Sequence, residues 1–256
     1  MRIDYVLLDP TGNTTILVTT QVPEADQPSV AAELMAEEPS AEQVGFLTRE
    51  DGFDAALRMA GGEFCGNASM CAAALTVEEK GLAGGVMKLR VSGASDPVSV
   101  RVEKQKDESF RGDVTMPRPA LIETRELPGI GSRPVVFFDG IAHIIIEETP
   151  DRAAAEALAP ALAHFLHADA VGLMFLDVEN ETLTPLVFVP AANTLFWENS
   201  CASGTTAAGA YLMHQSGEAV RLTLKQPGGS LTVAVRENGN PVLSGTVRII
   251  RHAVKE

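Results

Sequence analysis

Hydrophobic and polar residues alternate along many short segments of the chain, and this pattern predicts more strands than helices. The strand-like segments are 2–9, 14–22, 87–93, 98–104, 133–140, 143–148, 171–178, 183–190, 220–226, 230–237 and 243–250. Helical spacing appears instead in the segments 28–38, 66–81, 151–167 and 202–217. Because the helices do not alternate one-for-one with the strands, the pattern favours an α+β fold over a doubly wound parallel sheet.

One order of elements occurs twice along the chain. The segment 64–81 runs from a cysteine through an alanine-rich helix to a glycine, and two strands follow it. The segment 200–217 repeats this order. We therefore expect two pseudo-symmetric lobes, at 1–117 and 118–256, each carrying one of these cysteines. Pro117 and Pro119 mark the connection, since proline cannot donate to a strand ladder.

The charge balance narrows the function classes. The 256 residues include 20 Lys and Arg against 34 Asp and Glu, for a formal net charge of −14. Such an acidic chain repels phosphate backbones, so we expect no nucleic-acid partner. No apolar run is long enough to predict a membrane span. Three cysteines without a secretory signal predict a cytoplasmic protein whose thiols stay reduced.

The repeated cysteines, Cys65 and Cys201, stand directly before their helices. Unpaired N–H groups and the helix dipole at such a position favour the thiolate form of cysteine. Small or polar residues follow each thiol and would let a carboxylate approach the backbone; these are Gly66, Asn67, Ser203, Gly204 and Thr205. Two thiols presented alike fit a transfer in which one removes a proton from carbon and the other donates to the opposite face.

Other interpretations exist for several of these residues. A lone cysteine is more often a small buried hydrophobe, and this is the reading we prefer for Cys71, which lies inside the first helix. His143, within a strand, fits either a core histidine or a group that assists a thiol. Glu198 precedes Cys201 by three residues and fits either a polarising carboxylate or a helix cap. We expect no metal, because the cysteines lack CxxC or HxxxH partners.

Several segments together resemble one known family. FCGNASMCA and SCASGTTAAG resemble the two cysteine motifs of the diaminopimelate epimerases, and DPTGNTTILV, AEQVGFL, DGIAHIII and QPGGSLTV resemble further motifs in the same order. The resemblance implies two pseudo-symmetric lobes, each a barrel-like sheet around a central helix, with the active site in the interlobe cleft and no cofactor. It also implies that Asn13 and Gln43 contact substrate and that His143 assists a catalytic thiol.

The chain departs from this family where its members hold the far end of diaminopimelate. Ile141, for example, stands where the family has asparagine. Histidine racemases of the same superfamily also combine the two cysteines with altered distal positions, and the forms GGEFCGNA and ENSCASG of this chain resemble theirs. We therefore expect an amino-acid racemase or epimerase with a free amino acid, histidine foremost, as its small-molecule partner.

The alternatives left open are a diaminopimelate epimerase proper, an isomerase of another carboxylate on the same fold, and a non-catalytic amino-acid-binding protein. The oligomeric state is also open, with a homodimer as one option.

Overall fold

The computed structural model describes residues 2–256, apart from the side chain of residue 192. Its helices are α1 (Gln27–Glu37), α2 (Gly66–Glu79), α3 (Arg152–Leu166) and α4 (Ala202–Ser216). Its strands are β1 (Ile3–Pro10), β2 (Thr15–Val18), β3 (Gln43–Thr48), β4 (Ala55–Met59), β5 (Gly84–Val91), β6 (Val98–Lys104), β7 (Phe110–Thr115), β8 (Leu121–Leu127), β9 (Gly131–Phe137), β10 (Ile141–Ile146), β11 (Ala170–Asp177), β12 (Thr182–Val189), β13 (Thr194–Trp197), β14 (Val220–Gln226), β15 (Gly229–Val235) and β16 (Val242–Lys255). The four predicted helices and the predicted strand segments are confirmed.

Strands β3, β4, β7, β8 and β13 were not predicted. Strand β8, for example, is largely polar, with the sequence LIETREL. Each of them gains its hydrogen bonds from a neighbour; β3, for example, pairs with both β2 and β4. Strand preference depends on this packing context more than on the residue itself, so the local pattern could not reveal these strands.

The chain divides into two compact units. The first runs to Thr115 and also includes Ser244–Glu256, while the second is Met116–Leu243. The first boundary falls close to the predicted residue 117. The final strand, assigned above to the second lobe, instead pairs antiparallel with β1 from Ile3↔Lys255 to Pro10↔Val247. A strand distant in sequence thus completes the first unit, because its backbone partners lie there.

The first unit is a closed barrel of eight strands. Their order is β1-β2-β3-β4-β5-β6-β7-β16, and the pairing of β1 with β16 closes the ring. Helix α2 lies inside and contacts strands around the ring, and every residue from Gly66 to Val77 is buried. A barrel of eight strands has little interior room, so the helix that fills it needs small side chains such as its run of alanines.

The second unit follows the strand order β15-β14-β12-β11-β10-β9-β8, with β13 paired to β12. Helix α4 contacts β9, β10, β11, β14 and β15, which lie toward both ends of this order, so the sheet wraps around it. Helix α3 packs on β11 and β12 through a separate apolar cluster that includes Leu162 and Leu173. The two sides of this sheet therefore carry different helices.

Both cysteine helices are crossovers between parallel strands. Helix α2 joins β4 to β5, which pair in parallel from Ala55↔Leu89, and α4 lies between β12 and β14, which pair in parallel at Thr182↔Lys225. Parallel neighbours require such a connection, and it places a helix start next to a strand end in each unit. Among the residues described, no helix is both long and apolar enough to cross a membrane.

Candidate active site

Cys65 is the N-cap of α2. Its backbone is extended, and its Sγ accepts a hydrogen bond from the Ala68 N–H at 3.4 Å. The Ser69 hydroxyl donates to the Cys65 carbonyl at 2.7 Å and so fixes the first turn. The structure thereby places the thiol at the positive end of the helix dipole, as the sequence predicts.

The thiol of Cys65 also lies next to two other predicted residues. It donates to Oε1 of Gln43 at 3.0 Å, and Nε2 of Gln43 donates to Asn13 Oδ1 and to Thr15 Oγ1. Asn13 in turn donates through Nδ2 to Oε2 of Glu42 at 2.5 Å. The parallel pairing of β2 with β3, in register at Thr15↔Gln43, brings these side chains together. Asn13, Gln43 and Cys65 thus form one hydrogen-bonded network.

Cys201 is the N-cap of α4 with nearly the same backbone angles. Its Sγ accepts from the Gly204 N–H at 3.3 Å and lies 3.5 Å from the hydroxyl of Ser203. The residue is 4% exposed, whereas Cys65 is half-buried. The same capping geometry therefore occurs in both units, with less access to solvent in the second.

Burial raises the pKa of the Cys201 thiol well above its usual range, and the Glu198 carboxylate, which accepts a hydrogen bond from the thiol, raises it further. The hydrogen bonds from Ser203 and Gly204 act in the opposite direction but are smaller effects. The expectation that the helix start favours a thiolate therefore does not hold for Cys201, because burial and a neighbouring negative charge both disfavour a second charge. The predicted neighbour Glu198 does contact the thiol.

The loop before α4 is fixed by Gln226, a residue that the sequence analysis missed. Its Oε1 accepts from the Cys201 N–H at 2.8 Å, and its Nε2 donates to Thr205 Oγ1 at 2.8 Å. The Thr205 hydroxyl in turn donates a hydrogen bond to the Cys201 carbonyl at 2.7 Å. Thr205, predicted to contact substrate, is thus an internal brace here. The PGG turn that follows Gln226 was the available signal.

His143 is completely buried in β10, opposite Gly172 of β11. Neither ring nitrogen has a hydrogen-bond partner among the described residues, and burial lowers the pKa of the imidazole to about 3. A Cβ at Gly172 would lie 2.2 Å from His143 Nδ1 and 2.6 Å from the Met174 methyl. The Met174 sulfur lies next to Gly204, so Met174 connects the surroundings of His143 with those of Cys201.

The remaining predicted residues lie in the first turn of α2. Gly66 and Asn67 are both buried. Cys71 is buried deeper in the same helix, and burial raises the pKa of its thiol well above the usual range. Across the described residues no cysteine is part of a disulfide, and no group of three His, Cys, Asp or Glu side chains could hold a metal ion.

The arrangement can move protons. Each unit has a thiol at a helix start and a group that accepts a hydrogen bond from it. The acceptor is an amide oxygen for Cys65 and a carboxylate for Cys201. The backbone N–H groups at the same helix starts favour negative charge. Such a set of groups suits proton transfer at a carbon next to a carboxylate.

Comparison with known proteins extends over nearly the whole chain. Residues 2–252 match the family model described as the histidine racemase CntK N-terminal domain. The histidine racemase of Staphylococcus aureus (strain Mu50) is 32% identical over 243 residues, which cover 90% of this chain and 88% of that relative.

Two solved structures share the fold at lower identity. A predicted epimerase from Pseudomonas aeruginosa has a TM-score of 0.75 at 19% identity, covering 98% of each chain. A hydroxyproline epimerase from Agrobacterium vitis, with bound trans-4-OH-L-proline, has a TM-score of 0.72 at 13% identity and covers 99% of this chain and 92% of that one. At these identities the likeness concerns the fold alone.

Proposed function

The chain belongs to the histidine racemase CntK N-terminal domain family, and from that premise we propose that it racemises histidine through Cys65 and Cys201 without a cofactor. It is an isomerase of the racemase and epimerase class. Histidine is the proposed substrate because the curated relatives that match along nearly the whole chain are named histidine racemases.

One observation supports the two-thiol mechanism above the others. In each unit, an extended cysteine caps a helix and its Sγ accepts the N–H three residues ahead, from Ala68 or from Gly204. Cys71, the third cysteine, has no such position and is enclosed in the helix interior. A structural cysteine has no need of this geometry twice, whereas a reaction that uses two opposed proton carriers does.

The proposed step balances as a double proton transfer at Cα. The thiolate of one cysteine removes the Cα hydrogen as a proton, and the electron pair of the C–H bond stays on Cα. That cysteine becomes a thiol. The other cysteine gives its S–H hydrogen to the opposite face of Cα and becomes a thiolate. Because burial and the Glu198 carboxylate favour the thiol form of Cys201, we propose that for one enantiomer of histidine Cys65 is the base and Cys201 the donor. The reverse reaction exchanges these roles and starts from the opposite protonation states of the two cysteines.

The neighbouring groups have proposed roles in the same step. Gln43 accepts a hydrogen bond from the Cys65 thiol and is itself held by Asn13, and both amides contact substrate. Glu198 keeps the hydrogen on Cys201 between turnovers. The N–H groups at the starts of α2 and α4 receive the substrate carboxylate and the charge that develops on it. His143 stays neutral and, having both ring nitrogens unpaired among the described residues, offers one donor and one acceptor.

The deciding experiment is exchange at Cα in D₂O. The protein is incubated separately with L-histidine, D-histidine, diaminopimelate, proline and hydroxyproline, and each sample is analysed for deuterium and for chirality. We expect deuterium incorporation with inversion for both enantiomers of histidine. Exchange with another amino acid would retain the two-thiol mechanism and overturn histidine as substrate, and binding without exchange would indicate a non-catalytic protein.

Cysteine variants test the mechanism itself. Cys65→Ser and Cys201→Ser should each lower the racemisation rate by roughly 10²–10⁴-fold, because each removes one of the two proton carriers. Cys71→Ala is the matched control, since it removes a thiol from the same helix as Cys65 and should change the rate only slightly. Full activity in either serine variant would overturn the pairing of the two thiols.

A further inference from the structure

Gln226 is a buried amide at the end of β14, and both of its polar atoms act on Cys201. The residue is 8% exposed. Its Oε1 accepts from the Cys201 N–H and its Nε2 donates to Thr205 Oγ1, each at 2.8 Å. Because the Thr205 hydroxyl donates to the Cys201 carbonyl, Gln226 is linked to both peptide groups of Cys201, to one directly and to the other through Thr205.

This ring of three hydrogen bonds restrains the backbone of Cys201. Peptide groups are planar, so the two groups that flank a residue move relative to each other only through its φ and ψ angles. Joining both groups of Cys201 through one side chain therefore restrains both angles, which are −125° and 111°. The position of Sγ then depends on χ1, and the Gly204 N–H at 3.3 Å favours one value of it.

The end of β14 is itself held by its neighbours. Gln226 pairs with Gly229 of β15, and the preceding residue, Lys225, pairs with Thr182 of β12. In the turn that follows, the Gly228 N–H donates to the Asn199 carbonyl at 2.8 Å. The end of β14 and its turn thus hold the loop before α4 at two points, the Asn199 carbonyl and the Cys201 N–H.

The first unit braces its cysteine loop from the same place in the order of elements. Ser92 directly follows β5, and its Oγ donates to the Glu63 carbonyl at 2.8 Å. At the next residue, Gly93, the backbones approach so closely that a Cβ would lie 2.3 Å from the Phe64 nitrogen. Bracing of the loop before the helix therefore recurs in both units, and in the second it reaches the cysteine itself.

The ring around Cys201 needs a side chain that both donates and accepts. The Thr205 hydroxyl has one hydrogen, which goes to the Cys201 carbonyl, so the group that faces Thr205 Oγ1 must donate, while the group that faces the Cys201 N–H must accept. A primary amide does both. We propose that Gln226 is a positioning residue that holds the Cys201 thiol in place for proton transfer at Cα, an inference that rests on the racemisation proposed above.

Replacing the amide by an apolar chain of the same length is the first test. Gln226→Met should lower kcat for L- and D-histidine by about 10-fold to 100-fold, with KM changed by less than about threefold, because a displacement of about 1 Å is enough for such losses. Gln27→Met is the matched control: this buried amide also donates and accepts, to the Val22 carbonyl and from Arg58. It should keep the wild-type kcat.

Replacing the amide by a carboxyl makes the proposed role depend on pH. In Gln226→Glu the protonated carboxyl has one O–H donor and one acceptor oxygen, as the amide has, whereas the carboxylate only accepts and cannot donate to Thr205. Burial favours the protonated form. The Cys201 thiol and Glu198 titrate in the wild type as well, so the rate is expressed as a ratio to the wild type at each pH.

We expect this ratio for Gln226→Glu to rise roughly threefold to tenfold between about pH 8 and about pH 6, as the carboxyl takes up a proton. The same ratio for Gln27→Glu should stay constant. Circular dichroism checks that each variant is folded, and if Gln226→Met does not fold, the pH dependence of Gln226→Glu decides.

Three results would overturn the proposal: wild-type kcat in Gln226→Met, equal losses in Gln226→Met and Gln27→Met, or a constant ratio for Gln226→Glu. Alkylation of Cys201, followed by mass spectrometry, separates these results from a failure of the proposed function. If the wild type does not racemise histidine, faster alkylation in Gln226→Met would still show that Gln226 holds the thiol, and an unchanged rate would overturn that as well.

Discussion

The starts of α2 and α4 share one design and differ in what surrounds it. Cys65 and Cys201 both cap their helices through the N–H three residues ahead. The first thiol is half-buried and donates to the neutral amide of Gln43, while the second is buried and faces the carboxylate of Glu198. Equivalent backbone geometry therefore occurs with different neighbours and different burial.

The surroundings of Cys201 show which physical effects dominate the pKa of a helix-capping thiol. The helix dipole and one N–H bond act on both cysteines, but they are outweighed at Cys201 by burial and by a negative neighbour. In the transfer proposed above, one cysteine takes a proton while the other gives one, so the two must differ in protonation at any moment. The different surroundings of Cys65 and Cys201 are consistent with that proposal.

The largest expected effect concerns a buried group of the second unit, His143. Its pKa is lowered from 6.5 to about 3. Between these two pH values the imidazole is therefore protonated in the unfolded chain and neutral in the folded chain. Folding stability should therefore fall as the pH falls through this window, by about 1.4 kcal/mol per pH unit from this group. In His143→Leu this part of the pH dependence should disappear.

Denaturant unfolding across that pH range measures the slope for the wild type and for His143→Leu. The exposed His252, replaced by Gln, is the control and should leave the slope unchanged. A wild type and a His143→Leu variant with the same slope would show that His143 is accessible to protons in the folded protein.

The helix positions that donate to the two thiols should respond unequally to substitution. A Cβ at Gly204 would lie 2.2 Å from the Met174 sulfur and 3.2 Å from Cys201 Sγ, whereas Ala68 already carries a Cβ in the first unit. Gly204→Ala should cost about 1–3 kcal/mol of stability and lower racemisation by displacing Met174 or the thiol. Ala68→Gly should cost only about 1 kcal/mol.

Thermal unfolding and rate measurements on both variants test this inequality. Equal effects at Gly204 and Ala68 would mean that Met174 moves aside freely, and that the second thiol is held less tightly than its burial indicates.

The smallest of these effects is on the ionisation of Cys201. Glu198→Gln removes the negative charge beside the thiol, which lowers the pKa of Cys201 and should raise its alkylation rate roughly threefold to tenfold at a fixed mildly alkaline pH. Mass spectrometry of the Cys201 peptide follows the modification. Glu218→Gln, at an exposed site in the same unit, is the control. An unchanged rate would assign the raised pKa to burial alone.

The predictable part of the fold was the part with local periodicity. Helices α1 to α4 follow from apolar spacing and small-residue runs, and the repeated Cys-helix-strand-strand order is visible in the chain. Strands such as β8 and the position of β16 against β1 could not be predicted, because their hydrogen-bond partners are distant in sequence.

The candidate site divides in the same way. The residues Cys65, Cys201 and Glu198 could be selected from motif and spacing, and the structure brings Glu198 against its thiol. Gln226 was missed because it acts from a strand end more than twenty residues after the cysteine it braces. The hydrogen bond that joins Gln43 to Thr15 depends on the parallel register of β2 and β3, which no local pattern encodes.

By itself, then, the sequence determined the helix starts and the residues placed at them, since capping and helix periodicity act over three or four positions. Only the tertiary structure decided how acidic those residues are. Burial lowers the pKa of His143 and is the largest influence that raises the pKa of Cys201, and it arises when distant segments pack together. The chemical groups are local in origin, and their protonation is a property of the fold.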